Sequence, residues 1–152
     1  MSGTIGFSTQ LIVKFKKLHP SAEPPKQSHP GDAGWDLTAV EIERLSKGLV
    51  RVHSGIAVEI PYGFQGELRP RSSIYKKGCR PILSNCVGTI DAGYRGEIMA
   101  VFYCFNLKNL PFDVGERFAQ LVIMPVPDVH FVEYETLSDS ERGVGGYGSS
   151  GS

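Results

Sequence analysis

Short apolar stretches separated by turn residues set the pattern of this chain. The first, Leu11–Phe15 (LIVKF), is dense in branched side chains that suit a pleated strand. It gives way at residues 19–30, where four prolines interrupt any regular element. Trp35–Val40, Leu49–Val52 and Ile56–Ile60 follow as further β-rich runs. Pro61-Tyr62-Gly63-Phe64 places proline and glycine for a type II turn, so 56–69 reads as a hairpin. Ile98–Phe105 is the longest apolar run, and Phe118–Met124 and Val129–Tyr134 add two strands around Pro125 and Pro127. Only Leu37–Leu45 and Ser73–Lys77 could turn as helix, and both are brief. With no internal repeat, the pattern predicts one all-β domain, a jelly-roll-like β-sandwich or barrel over 1–141. A glycine-rich C-terminal arm over 142–152 completes the chain.

Composition narrows the field. The 152 residues suffice for one ordinary core and not for two. Lys+Arg and Asp+Glu both number 16, so no global charge draws the chain to nucleic acid or to an anionic membrane, and neither is expected as a partner. The first ten residues lack a basic start and an apolar stretch, and no run approaches a membrane span. An intracellular protein, cytoplasmic or nuclear, is the expectation. Three cysteines, Cys79, Cys86 and Cys104, form no C-x-x-C pair, and four dispersed histidines offer no helix face to a metal. Free thiols are expected.

Three segments could carry chemistry. Arg69, Arg71, Lys76, Lys77 and Arg80 cluster in an otherwise neutral chain, with Ser72 and Ser73 directly after Pro70-Arg71. Guanidinium forks, hydroxyls and the free N–H groups of a short helical turn at Ser72 suit phosphate oxygens, although a solvated basic face has the same composition. Asp36 follows Ala33-Gly34-Trp35, and Asp91 sits among the turn glycines of Gly88–Gly96. Either aspartate could bind Mg²⁺ or orient a water, and either could simply serve a turn. The tail RGVGGYGSSGS holds Arg142 and Tyr147 among its glycines, as expected of a linker or of an arm closing over an anionic, ring-containing ligand. P-loop, dinucleotide and nucleophile-elbow signatures are absent.

Taken in order, these segments resemble the five motifs of the trimeric deoxyuridine triphosphatase (dUTPase) family. Ala33-Gly34-Trp35-Asp36-Leu37 is similar to the first, Pro70-Arg71-Ser72-Ser73 with Gly78 to the second, and Gly88–Gly96 to the third. Gly115-Glu116-Arg117-Phe118-Ala119-Gln120-Leu121 resembles the fourth, and the stretch from Arg142 to Gly151 the fifth. The resemblance implies Mg²⁺-dependent hydrolysis of dUTP to dUMP and pyrophosphate, a step that keeps uracil out of DNA. Asp91 would activate the water that attacks the α-phosphorus, and Asp36 would hold Mg²⁺ through its waters. Arg71, Ser72, Ser73, Gln120, Arg142, Gly148 and Ser149 would bind the phosphates. A strand hairpin over Asn85–Tyr94 would select uracil and deoxyribose through Asn85, Gly88, Ile90 and Tyr94, with Tyr147 stacked on the base. The family assembles as a homotrimer whose active sites are shared among subunits, the arm arriving from a neighbour.

The departures are small. Trp35, Ser73, Tyr147 and Ser150 stand where Tyr or Phe, Gly, Phe and Thr are usual. Ala92-Gly93 after Asp91 is closer to the related dCTP deaminases, but Val101 stands where those enzymes carry a catalytic glutamate. Two alternatives to the hydrolase follow: a dCTP deaminase-like enzyme, and a non-catalytic dUTPase-like nucleotide sensor.

Overall fold

A computed structural model describes residues 10–46 and 48–146. Among the described residues ten strands and one short helical turn succeed one another: β1 Lys14–Lys17, β2 Gly34–Thr38, β3 Glu41–Ser46, β4 Leu49–His53, β5 Ile56–Glu59, β6 Phe64–Pro70, a 3₁₀ turn Ser72–Lys76, β7 Pro81–Leu83, β8 Gly88–Ile90, β9 Met99–Cys104 and β10 Arg117–Pro125. They form two four-stranded sheets, β2-β10-β6-β8 and β3-β4-β9-β7, and a small β1-β5 pair. Every pairing is antiparallel. The expected all-β sandwich is therefore what forms.

Alternation explains which faces meet. In β6, Gly66 and Leu68 are buried between half-exposed neighbours, and in β4 Val50 and Val52 do the same. The long apolar run of β9 resolves into Ala100, Phe102 and Cys104 inward and Met99, Val101 and Tyr103 outward. Leu37, Leu68, Phe118 and Leu121 of one sheet share a single core with Val50, Val52, Ala100 and Phe102 of the other. The Phe102 and Phe112 rings tilt against each other at 5.0 Å, and Phe118 meets Phe112 edge-on at 6.4 Å. Each such buried side chain contributes roughly 1.5–3 kcal/mol by leaving water.

Three local readings resolve differently in the structure. The turn at Pro61–Phe64 forms, with Phe64 N donating to Pro61 O at 3.2 Å and Gly63 at φ +84°. The hairpin does not: β5 pairs with β1, whereas β6 pairs with β10 and β8. Ile56, Ala57 and Val58 are all buried, and only Glu59 reaches solvent, where it pairs with Lys14 of β1. Leu37–Leu45 is no helix but parts of β2 and β3, joined at a corner where Ala39 bonds Glu116 and Gly115, and Val40 N donates to His53 O. Val129–Tyr134 forms no strand, because nothing among the described residues lies beside it, and Phe131 and Tyr134 are exposed. Of the segments allowed to be helical, Ser73–Lys77 comes closest, as the 3₁₀ turn Ser72–Lys76.

Candidate active site

The middle of the first sheet builds one cleft. Directly opposed residues share a face, so Asp36, Gln120 and Arg69 point the same way across β2, β10 and β6, away from the core-facing Leu37, Leu121 and Leu68. Arg71 lies one residue beyond β6, and Ser72 opens the 3₁₀ turn that follows. Together with Ser28, Asp32 and Gly34 they line a cleft of about 370 Å³.

Arginine partners fix the Asp36 carboxylate. Arg71 Nε donates to Oδ1 at 2.7 Å and its terminal nitrogens reach Oδ2 at 3.4 Å and Ser73 Oγ at 3.4 Å. Arg117 donates to Oδ2 and to Ser28 Oγ, both at 2.9 Å, and Ser28 Oγ itself donates to Oδ2 at 3.0 Å. The Asp36 side chain is only 10% exposed, so removing either guanidinium would leave a poorly solvated charge. Arg71 and Arg117 are thereby ordered around one carboxylate at the cleft.

Gln120 Nε2 donates to Pro70 O at 3.0 Å, which ties β10 to the end of β6. Its amide oxygen lies over the Gly34 Cα, where any Cβ would collide with it. Below the cleft, Lys77 pairs with Glu116, and the 3₁₀ turn is thereby fixed to the start of β10. Glu116 also accepts from Asp113 N at 3.2 Å. Burial pushes the Glu116 carboxyl up, but the hydrogen bond and charge of Lys77, the Asp113 N–H and the Arg71 charge outweigh it and hold the group below its ordinary value.

Sequence reasoning passed over Arg117 as a site residue, although it lies in the fourth motif. By simple alternation Arg117 and Gln120, three positions apart, face opposite sides of a strand. A register shift between Arg117 and Ala119 undoes that: Arg117 pairs with Thr38 and Gln120 with Asp36, so both face the cleft. Only the bulge could have revealed it. Ser28 was likewise passed over, whereas Arg69 of the basic cluster does reach the cleft.

Asp91 is elsewhere. Gly66 opposes Ile90 in the β6–β8 pair, so Asp91 falls beside Gln65 at one end of β6 while Arg71 follows the other. At ~3.3 Å per residue the two are about 20 Å apart. Asp91 lines a separate cleft of about 380 Å³ with Tyr62, Gln65, Ala92 and Asp128. Its carbonyl accepts from Tyr94 N at 3.0 Å, closing a turn.

The expected hairpin over Asn85–Tyr94 is not formed: β7 pairs with β9 in one sheet, and β8 with β6 in the other. The reason is burial on both sides of the connector, since Leu83 and Ile90 enter the same core from different sheets. β8 is consequently an edge strand, with one side open among the described residues. Asn85 folds back on Gly88, whose absent Cβ would lie 3.2 Å from Asn85 Nδ2. Ile90 turns its side chain into the core, and only its backbone can serve a ligand.

Arg142 is exposed, and its Nε donates to Gly145 O at 3.0 Å within its own turn. Tyr147, Gly148 and Ser149 lie outside the described residues. Among the described residues no three His, Cys, Asp or Glu side chains gather as a metal site, and Asp36 is already held by arginines. This donor set does not fit an ion coordinated directly by the protein.

A family model, dUTPase, matches residues 21–151, which includes every segment of both clefts. The chain belongs to the dUTPase family. The deoxyuridine 5'-triphosphate nucleotidohydrolase of Clostridium tetani is 39% identical over 144 residues, spanning 94% of this chain and 99% of the relative. That of Leifsonia xyli is 44% identical over 130 residues, covering 84% of each. Among solved structures, a Staphylococcus bacteriophage 80alpha dUTPase variant with dUpNHpp superposes at a TM-score of 0.80 with 28% identity, over 93% of this chain and 99% of that one. A dUTPase variant of phage phi11, whose structure concerns a structural Mg(II) ion, shares the fold at a TM-score of 0.71 and 23% identity, over 84% of this chain and 99% of that one. No helix among the described residues is long and apolar enough to cross a membrane.

Proposed function

We propose that this dUTPase-family chain hydrolyses dUTP to dUMP and pyrophosphate, as a homotrimer whose active sites are shared between subunits. The observation that carries the reading is the Asp36 cleft, in which a carboxylate holds Arg71 and Arg117 in place beside Ser72 and Gln120. Guanidiniums already ordered lose little freedom when a triphosphate arrives. The named activity of the Clostridium tetani and Leifsonia xyli relatives supports the substrate. So does the dUpNHpp bound by the 80alpha phage dUTPase.

In this reading Arg71, Ser72, Ser73 and Gln120 bind the phosphates, and Arg142 with Gly148 and Ser149 closes over them from a neighbour's arm. Asp91 accepts a proton from the water that attacks the α-phosphorus, while the bond to the bridging oxygen breaks and pyrophosphate leaves. Mg²⁺, held through its waters by Asp36, would offset the charge on the phosphate oxygens. The open edge of β8 presents the backbone of Gly88 and Ile90 to the uracil edge, with Asn85 beside it, Tyr94 against the deoxyribose and Tyr147 on the base. The ~20 Å between Asp91 and Arg71 exceeds what one triphosphate bridges, which supports sites completed by a second copy. A deaminase lacks support, because Val101 lies in β9 where that chemistry needs an acid.

Product analysis tests the reading. Purified protein with Mg²⁺ is given dUTP, dCTP, UTP and dTTP in parallel, and monophosphate, pyrophosphate and ammonia are scored. Pyrophosphate from dUTP is expected. Ammonia from dCTP, or silence on all four, would overturn the proposal.

A further inference from the structure

The turn that carries Asp91 and Tyr94 hangs between two anchors. One is Ile90, paired with Gly66 in the first sheet. The other is the corner His53-Ser54-Gly55 after β4, which grips residues 97 and 98 from several sides. Ser54, itself buried, donates from Oγ to Ile98 O at 2.6 Å, and Ile98 N donates to Ile56 O at 2.8 Å. Gly55 N donates to Glu97 Oε1 at 2.7 Å, and His53 Nδ1 lies 3.0 Å from Glu97 Oε2. Gly55 admits no side chain: its φ is +67°, and a Cβ there would meet His19, Val40 and Ala22 within 3.1 Å. Both oxygens of the Glu97 carboxylate are thus tied to a rigid corner.

The main chain of the same residue holds the tyrosine. Tyr94 donates from its hydroxyl to Glu97 O at 3.0 Å, and its ring lies across Gly96, where an added Cβ would come within 2.6 Å of Tyr94 Cζ. Arg95 braces the turn from outside, donating to Ala92 O at 2.6 Å and Tyr94 O at 2.9 Å. Ring position therefore follows from the Glu97 carbonyl, and the carbonyl from the Glu97 carboxylate.

We propose that Glu97 and Gly96 are positioning residues for sugar selection, Glu97 clamping the Tyr94 hydroxyl through its own carbonyl and Gly96 leaving the ring room to lie flat. The inference rests on the reading that Tyr94 lies against the deoxyribose. A ring excludes a 2′-hydroxyl only if it is held within a fraction of an ångström, so the clamp sets the ratio of dUTP to UTP turnover. Gly96 has an ordinary backbone conformation, and the atoms an alanine would displace are the far end of one side chain. Gly96→Ala should accordingly move the ring and spare the fold.

The test compares kcat/KM for dUTP and UTP in full-length wild type, Gly96→Ala, Glu97→Ala, Glu97→Gln and Tyr94→Ala, with thermal melting of each. Gly96→Ala and Glu97→Ala should lower the dUTP-to-UTP ratio about tenfold or more, through faster UTP turnover. Glu97→Gln, whose amide oxygen still accepts from Gly55 N, should keep most of it. If Tyr94→Ala loses the ratio while Gly96→Ala and Glu97→Ala stay within about twofold of wild type, the clamp is wrong and the Tyr94 reading stands. If Tyr94→Ala keeps the ratio, the reading beneath the clamp falls and takes the clamp with it. Should Glu97→Ala fail to fold, Gly96→Ala decides alone.

Discussion

Two inactive variants should restore each other. On the proposed reading, the amide of Asp91→Asn can no longer take a proton from water and Arg71→Ala removes one guanidinium from the Asp36 cleft, so each variant alone should be nearly silent. The β6 strand keeps the two positions about 20 Å apart in one chain, at ~3.3 Å for each residue from Gln65 to Arg71. A site using both must draw them from different chains. After co-refolding equal amounts, a given site receives an intact Asp91 half the time and an intact Arg71 half the time, which predicts about one quarter of wild-type turnover. Pyrophosphate release is the assay, with native mass spectrometry to establish that mixed trimers are present. Arg71→Ala leaves Asp36 paired with Arg117, so the variant should melt lower yet still fold. If mixed trimers form and turnover stays at the floor of the two parents, both residues serve one site within one chain, and the separation argument is refuted.

Other outcomes follow from the same geometry. Gly34→Ala drives its Cβ into the Gln120 amide oxygen and should raise KM for dUTP roughly tenfold, the scale of one charge-assisted hydrogen bond, with little change in melting. An unchanged KM would show that Gln120 does not touch the phosphates. Glu116, held below its ordinary 4.5 in the folded protein, contributes stability that is complete above that value and lost as pH falls through the lower folded one. The melting gap between wild type and Glu116→Gln should therefore close on acidification, and a gap constant from neutral to strongly acidic pH would contradict the assignment. Burial, with the hydrogen bond and charge of Cys79 at 3.5 Å, pushes the Cys104 thiol up to about 12, so it stays unreactive. An aromatic disulfide reagent should titrate Cys86 in the native protein and all three cysteines after unfolding. Fast native reaction of Cys104 would show that the core opens there.

How much of this could be read along the chain depends on the range of the interaction. The all-β class, the turn at Pro61–Phe64 and the residue types of the Asp36 cleft were legible because alternation, proline–glycine chemistry and the clustering of basic residues act over a few residues. Arg71, Ser72 and Gln120 do gather, and Asp36 with them. What Asp36 does there was not legible, since nothing in Ala33–Leu37 announces that Arg71 and Arg117 will bond its carboxylate.

Tertiary structure alone decided the rest. Val129–Tyr134 is rich in residues that suit a strand, yet strands exist only where a neighbour supplies the ladder, and none pairs with it among the described residues. Ile56–Ile60 is a strand whose partner is β1 rather than the adjacent β6, because pairing follows which faces can be buried, not which segments are consecutive. The bulge that turns Arg117 into the cleft, the length of β6 that parts Asp91 from Arg71, and the grip of Gly55 on Glu97 are likewise properties of assembled sheets. Local chemistry is written in the residues themselves. Distance and direction come from packing, where one added residue in a ladder reverses a face and one strand's length separates two clefts.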